Sequence, residues 1–111
     1  MSDFDKNASN AQAYLSRFQQ NVTGHFINGK MFVPEGAKTS TNTTPVDQSS
    51  LGEVVAGTEA DINQACEAAE AAFEQWGNVS GAERKKILHN FADKIVDHAE
   101  EIALVESMDC G

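Results

Sequence analysis

Residues 58–95 read Thr58-EADINQACEAAEAAFEQWGNVSGAERKKILHNFADK-Ile95, and this stretch decides the fold class because its local signals agree with one another. Ile62, Ala65, Cys66, Ala69, Phe73 and Trp76 fall on one stripe of 3.6-residue period, while Glu67, Glu70 and Glu74 lie off it. A second stripe, Ile87, Leu88, Phe91 and Ile95, follows after a break. Thr58 with Asp61, and Ser80 with Glu83, place a hydroxyl and a carboxylate three residues apart at the two helix starts, where the first turn leaves amides unpaired. Gly77-Asn78 is the expected left-handed stop between the helices, and Cys66 is expected as a small core residue. Two helices, about 59–76 and 81–96, joined by a tight turn, are the result, and their stripes need a partner surface.

Outward from this pair, Asp97-His-Ala-Glu100 repeats the capping spacing and opens a third helix, about 98–109, with Ile102, Ala103, Val105 and Met108 apolar and Gly111 as its stop. On the other side, Leu51-Gly-Glu-Val-Val-Ala56 reads as a short strand. Thr39 to Ser50 is rich in Ser, Thr and Asn and contains Pro45, so one edge strand near 40–43 and an exposed turn are expected there. In His25-Phe-Ile-Asn-Gly-Lys-Met-Phe-Val-Pro34, apolar residues flank Asn28-Gly29, the residue pair that most readily takes the two positive φ angles of a two-residue hairpin. Residues 1–9 are polar and expected to fray. Ala11, Tyr14, Leu15 and Phe18 then mark a short amphipathic helix over 10–20, capped by Asn10, so that residues 1–22 form an arm and 23–111 one domain with strands across about 25–56.

The chain has 111 residues and a net charge of −9. Acids and bases balance over residues 1–52, so the whole excess of negative charge falls on the helical part, residues 53–111. Such a surface repels phosphate backbones and anionic headgroups, which argues against nucleic-acid and membrane partners. No basic segment followed by an apolar run opens the chain, and no stretch has the length of a membrane span, so a cytoplasmic protein is expected. Cys66 and Cys110 stand at no metal-ligand spacing and are expected to be reduced thiols. His25, His89 and His98 are spread over a strand, a charged helix face and a helix start. There is no Gly-rich phosphate loop and no nucleophile beside a base, so the residues by themselves show no active site.

The order of several short motifs adds a resemblance. Phe26-Ile-Asn-Gly-Lys30, Pro45, Gly52-Glu-Val-Val55, Ala60-Asp-Ile-Asn-Gln-Ala65, Ala71-Ala-Phe73, Trp76, Glu83-Arg84, Ile87-Leu88, Ala92-Asp93 and Glu106-Ser-Met-Asp-Cys-Gly111 together resemble the N-terminal segment of the NAD(P)-dependent aldehyde dehydrogenases. The turn at Thr44-Pro45 is longer than the family's Asn-Pro-x-x-Gly-Glu, and Cys110 stands where Asn is usual. The fold class implied is α/β: the first part of a cofactor-binding domain, short antiparallel strands followed by three helices.

The activity implied is oxidation of an aldehyde or semialdehyde to a carboxylic acid. In the family a cysteine thiolate attacks the carbonyl, hydride passes to NAD or NADP, and a water activated by glutamate hydrolyses the thioester. The groups that do this lie C-terminal to the matching segment, so no catalytic and no cofactor-binding residue is assigned here. A homo-oligomer, dimer or tetramer, is implied as well. Some members hold a structural monovalent cation, and the matching positions are Asp109 and the carbonyl of Thr43 or Asn42; Asp109 bonding local amides is the other reading. Against the enzyme stands a truncated, non-catalytic acidic helical module that binds a protein partner by its apolar helix face.

Overall fold

The computed structural model describes all residues 1–111. In chain order the elements are α1 (Asp3–Gln20), β1 (His25–Ile27), β2 (Lys30–Phe32), β3 (Thr39–Thr43), β4 (Ser50–Val55), α2 (Glu59–Gly77), α3 (Gly81–Asp97) and α4 (Ala99–Cys110). The fold is α/β, with two antiparallel strand pairs and no parallel sheet of named strands. The chain divides into two compact units, residues 1–24, 33–56 and 98–111 in one and residues 25–32 and 57–97 in the other.

In the first unit β3 pairs antiparallel with β4, Thr39 opposite Val55 through Asn42 opposite Gly52, and the register slips between Asn42 and Thr43. Thr23 adds a parallel bridge to β4, its N–H donating to Glu53 O at 2.8 Å and its carbonyl accepting from Val55 N at 3.0 Å. Helix α1 crosses β4 and α4, burying Ala11 and Leu15 with Leu51 and Val55 of the strand. The apolar spacing of residues 11–18 does select the inward face, but the helix is longer than its apolar pattern. Ser2, not Asn10, caps it: Ser2 Oγ accepts from Asp5 N at 3.2 Å and the Asp5 carboxylate accepts from Ser2 N at 3.1 Å. A capping box has made residues 3–9 helical where polarity suggested fraying.

Gly52 is where this packing needs a glycine. Its φ is +118°, and a Cβ built there would stand 2.1 Å from the carbonyl oxygen of Phe18, so the helix backbone rests directly on the strand.

The second unit holds the hairpin and the helix pair. Asn28 (φ 52°) and Gly29 (φ 75°) take the two positive φ angles expected of them, and His25 pairs with Phe32. Thr58 and Asp61 form a complete capping box, as do Ser80 and Glu83, whose N–H and hydroxyl contacts run from 3.0 to 3.3 Å. The stop between the helices differs from expectation. Asn78 is in the right-handed region (φ −87°, ψ −6°), its N–H bonding Glu74 O, and Val79 N reaches Trp76 O at 3.2 Å. The chain tightens through a last turn and enters the Ser80 cap at once, with no left-handed residue.

No side chain of α2, α3 or α4 is buried. Phe73 is 75% and Phe91 65% exposed, and Cys66, expected in a core, is exposed because the stripe it belongs to is uncovered. In α4 the half-buried residues are Glu101, Leu104, Val105 and Met108, whereas Ile102 and Ala103 of the expected stripe are exposed.

Candidate functional site

The residues singled out as ligands meet at one corner of the first unit. The β3–β4 connection, Thr44 to Ser49, is closed by Thr44 N to Ser49 O at 3.0 Å and Gln48 N to Thr44 O at 2.9 Å, with Gln48 at φ 64°. Thr44 is wholly buried, the one buried polar residue of the chain. Its hydroxyl donates to the carbonyl of Met108 in the last turn of α4 and accepts from Val46 N at 3.2 Å. That hydroxyl satisfies an end-of-helix carbonyl that would otherwise lack a partner. A Cβ on Gly111 would come within 3.0 Å of Pro45 Cγ, so the turn and the end of α4 fit closely.

Beside Thr44, Asn42 Nδ2 donates to Asp109 Oδ1 at 2.7 Å. Sequence reasoning named Asn42, Thr43 and Asp109 and passed over Thr44, although a Thr directly before Pro45 in a turn was visible. Its partner, a backbone carbonyl 64 residues away, was not. No group of three or more His, Cys, Asp or Glu is gathered anywhere in the chain. At Asp109 one carboxylate oxygen accepts from the Asn42 amide, so the two side chains form a hydrogen-bonded strut between β3 and α4. Next to it lies a cavity of about 230 Å³ lined by Leu15, Phe18, Leu51, Val54 and Val105, with Asn42, Glu106 and Asp109 at its edge.

The remaining candidates are dispersed. Cys110 Sγ lies 3.3 Å from Glu106 Oε1, and that contact, with the charges of Glu106 and Asp109, pushes its thiol above the ordinary value. A thiol held in the protonated form is a poor nucleophile. His98 stands at the start of α4 with no side-chain capping bond, its Nδ1 3.3 Å from Glu101 Oε2. The capping pattern expected from Asp97 and Glu100 is not formed, because Asp97 is still helical in α3 and Glu100 is engaged elsewhere. Tyr14 donates its hydroxyl to Glu100 Oε2 at 2.9 Å, and Arg17 pairs with Glu101 at 2.6 Å, tying α1 to the first turn of α4. The Glu100 bond is the main reason the Tyr14 phenol lies above its ordinary range. His25, in the second unit, faces Asp61.

A hairpin on Asn-Gly, a Thr-rich strand pairing and three successive helices follow one another in this order, and known proteins match the chain. Residues 32–111 match the aldehyde dehydrogenase family, and the chain belongs to it. Among curated relatives it is 38% identical over 88 residues to the human cytosolic 10-formyltetrahydrofolate dehydrogenase, an alignment covering 78% of this chain and 10% of that protein. It is 39% identical over 88 residues to the NADP/NAD-dependent aldehyde dehydrogenase PuuC of Escherichia coli K12, covering 78% of this chain and 18% of that one. The crystal structure of HpcC from Thermus thermophilus superposes with a TM-score of 0.86 at 30% identity, over 91% of this chain and 20% of that chain. The chain thus spans a tenth to a fifth of the length of the proteins it matches.

Proposed function

We propose that these residues are the opening segment of an NAD(P)-dependent aldehyde dehydrogenase, one that oxidises an aldehyde or semialdehyde to the acid in the cytoplasm as a homo-oligomer. What carries the reading is the joint match in family, order and backbone geometry over most of this chain and a small share of its relatives. The role of the segment is to support a cofactor-binding domain, with residues 1–22 as an arm and 23–111 as part of that domain. NAD or NADP would supply the hydride acceptor, and the groups that hold it, like the nucleophile, lie outside this segment. The exposed stripes of α2 and α3 are consistent with that role, since fully covering each large apolar side chain is worth about 1.5–3 kcal/mol.

The monovalent cation at Asp109 and the Thr43 carbonyl belongs to the same proposal, with Asn42 on Asp109 Oδ1 and the second carboxylate oxygen left to the ion. Crystals of an enzyme carrying this segment, soaked in thallium salt, test it: an anomalous peak on the Asp109 carboxylate supports the ion, and no peak there overturns it.

The functional reading is tested by grafting. Residues 32–111 replace the matching segment of the related E. coli enzyme, and NADH formation from acetaldehyde is followed. Activity within about tenfold of the parent supports the proposal, as expected of a scaffold whose substitution leaves the chemistry in place. A chimera that fails to fold, or folds without activity, overturns it. The 111-residue chain alone is expected to reduce no NAD+, and measurable turnover would contradict the assignment of catalysis elsewhere.

A further inference from the structure

The feature that this reading leaves unused is the open edge of the β3–β4 pair. β4 is paired on both sides, to β3 and, through Thr23, to the segment after α1, while β3 has β4 alone. Every residue of β3, Thr39 to Thr43, is exposed. Successive residues of an antiparallel strand send their N–H and C=O alternately to its two sides. Ala56 N donates to Lys38 O at 2.8 Å and Thr44 N to Ser49 O at 3.0 Å, so Lys38, Ser40, Asn42 and Thr44 turn to β4. Thr39, Thr41 and Thr43 turn outward. The slip in register puts its extra residue, Leu51, on β4, because Asn42 faces Gly52 and Thr43 faces Ser50, and the alternation along β3 is unbroken.

This edge lacks the devices that keep strands apart. No Lys, Pro, Asp or Glu stands within residues 39–43, and Lys38 and Pro45 only bracket them. Charge selects the partner. The chain carries −9 in all, but acids and bases balance over residues 1–52, so a second copy meets no net repulsion at this edge, whereas at residues 53–111 it would. Read about Thr41, the strand nearly repeats itself backwards. Antiparallel pairing sets Thr39 opposite Thr43, Ser40 opposite Asn42 and Thr41 opposite Thr41 of the second copy. Each is a neutral polar pair, and Thr beside Thr is a favourable cross-strand neighbour. Two acids lie near the strand. Asp109 is engaged by the Asn42 amide, and Glu53, opposite Thr41 on β4, accepts from the Thr41 hydroxyl. The two copies of Glu53 would stand three strand spacings apart, about 14 Å, beyond the screening length of about 8 Å at physiological salt.

We propose that β3 is a self-pairing edge, on which a second copy of this chain adds its own β3 antiparallel about Thr41, joining two sheets into one across a two-fold axis. The outward residues, Thr39 with Thr43 and Thr41 with its own copy, exchange backbone hydrogen bonds in pairs. The contact is isologous and closed, since filling one copy's edge fills the other's. One strand pair is a small interface, so a weak dimer is expected, with Kd on the order of 0.1–1 mM. The pairing is a property of this chain and does not rest on the enzyme reading.

Backbone amide exchange on the full 111-residue chain, at about 20 µM and about 1 mM, tests this. Exchange at Thr39, Thr41 and Thr43 is expected to slow about two- to fourfold at the higher concentration, as mass action gives for that Kd. Ser40 and Asn42, bonded to β4, keep their protection at both. In a sample mixing isotope-labelled and unlabelled chains, a contact between copies is expected from the α-proton of Ser40 to that of Asn42, the pair whose Cα atoms come within about 4.5 Å. Thr41→Pro removes an N–H that β4 does not use, and Thr41→Lys sets two like charges on the axis. Each is expected to abolish the concentration dependence and the contact between copies, with the α1 amides showing that the unit is folded. Where the proline variant unfolds, the lysine variant decides. Concentration-independent exchange at the three threonines, whether fast or slow, overturns the proposal. So does a concentration dependence that survives Thr41→Lys, the result expected of association through the apolar stripes of α2 and α3. None of these outcomes bears on the family reading, which the chimera decides.

Discussion

At the scale of single residues, Gly52 and Thr44 hold the first unit together, and each is a position where one side-chain atom matters. Replacing Gly52 with Ala puts a methyl 2.1 Å from Phe18 O on a backbone at φ +118°. Strain in the left-handed region, about 1–2 kcal/mol, and overpacking, about 1–3 kcal/mol, add to an expected loss of about 2–5 kcal/mol. It is read as loss of α1 amide protection while the helix-pair amides are unchanged. Thr44→Val keeps the shape and removes the hydroxyl, leaving Met108 O and Val46 N unpaired in a buried place. The expected cost is about 1–3 kcal/mol, measured as a lower urea midpoint for the protection of α4's last turn. Wild-type midpoints in either variant would show that the contact does not carry stability.

The elements are set by their first turns. Asp5 and Asp61 are each held below the ordinary carboxylate range, first by the side-chain hydrogen bond to their cap, Ser2 and Thr58 respectively. A carboxyl whose folded pKa is depressed stabilises above its unfolded value and loses that contribution as pH falls through the folded one. The N-terminal turns of α1 and α2 are therefore expected to fray below about pH 4, seen as loss of helical circular dichroism and of amide protection that starts at those turns. Loss beginning at the C-terminal turns would contradict this. Ser80→Ala removes the α3 cap bonds, with an expected cost of about 1 kcal/mol to that helix. The capping spacing at Asp97–Glu100 shows how such a signal fails. The two residues stand three apart as a box requires, yet Asp97 is helical and Glu100 is drawn to Tyr14 and Asn10 of α1.

For the molecule as a whole, the balance of covered and uncovered apolar surface is decisive. The buried side chains come from α1, from β4 and from Thr44 in the β3–β4 turn. Phe73, Trp76, Leu88, Phe91 and Ile95 remain open on the helix pair. A hairpin and two helices with no buried side chain have little to hold them against conformational entropy. The isolated chain is expected to bind a hydrophobic dye, to self-associate with rising concentration and to melt early. A sharp, concentration-independent transition of a monomer in sedimentation and calorimetry would overturn this expectation. No helix is long and apolar enough to cross a membrane, so these faces are not spans.

By itself the sequence determined what is local. The Asn28-Gly29 turn, the caps at Thr58 and Ser80 and the inward face of α1 each rest on residues within a turn or two of one another, and short-range hydrogen bonding and spacing suffice to specify them. The order of its motifs also carried the family. Tertiary structure decided whatever depends on a partner distant in sequence: Thr44 under Met108, Phe18 against Gly52, Asn42 on Asp109, His25 on Asp61, and which apolar stripes are covered. A periodic stripe states that a face is apolar, but burial is a property of two surfaces, and for α2 and α3 this chain supplies one of them.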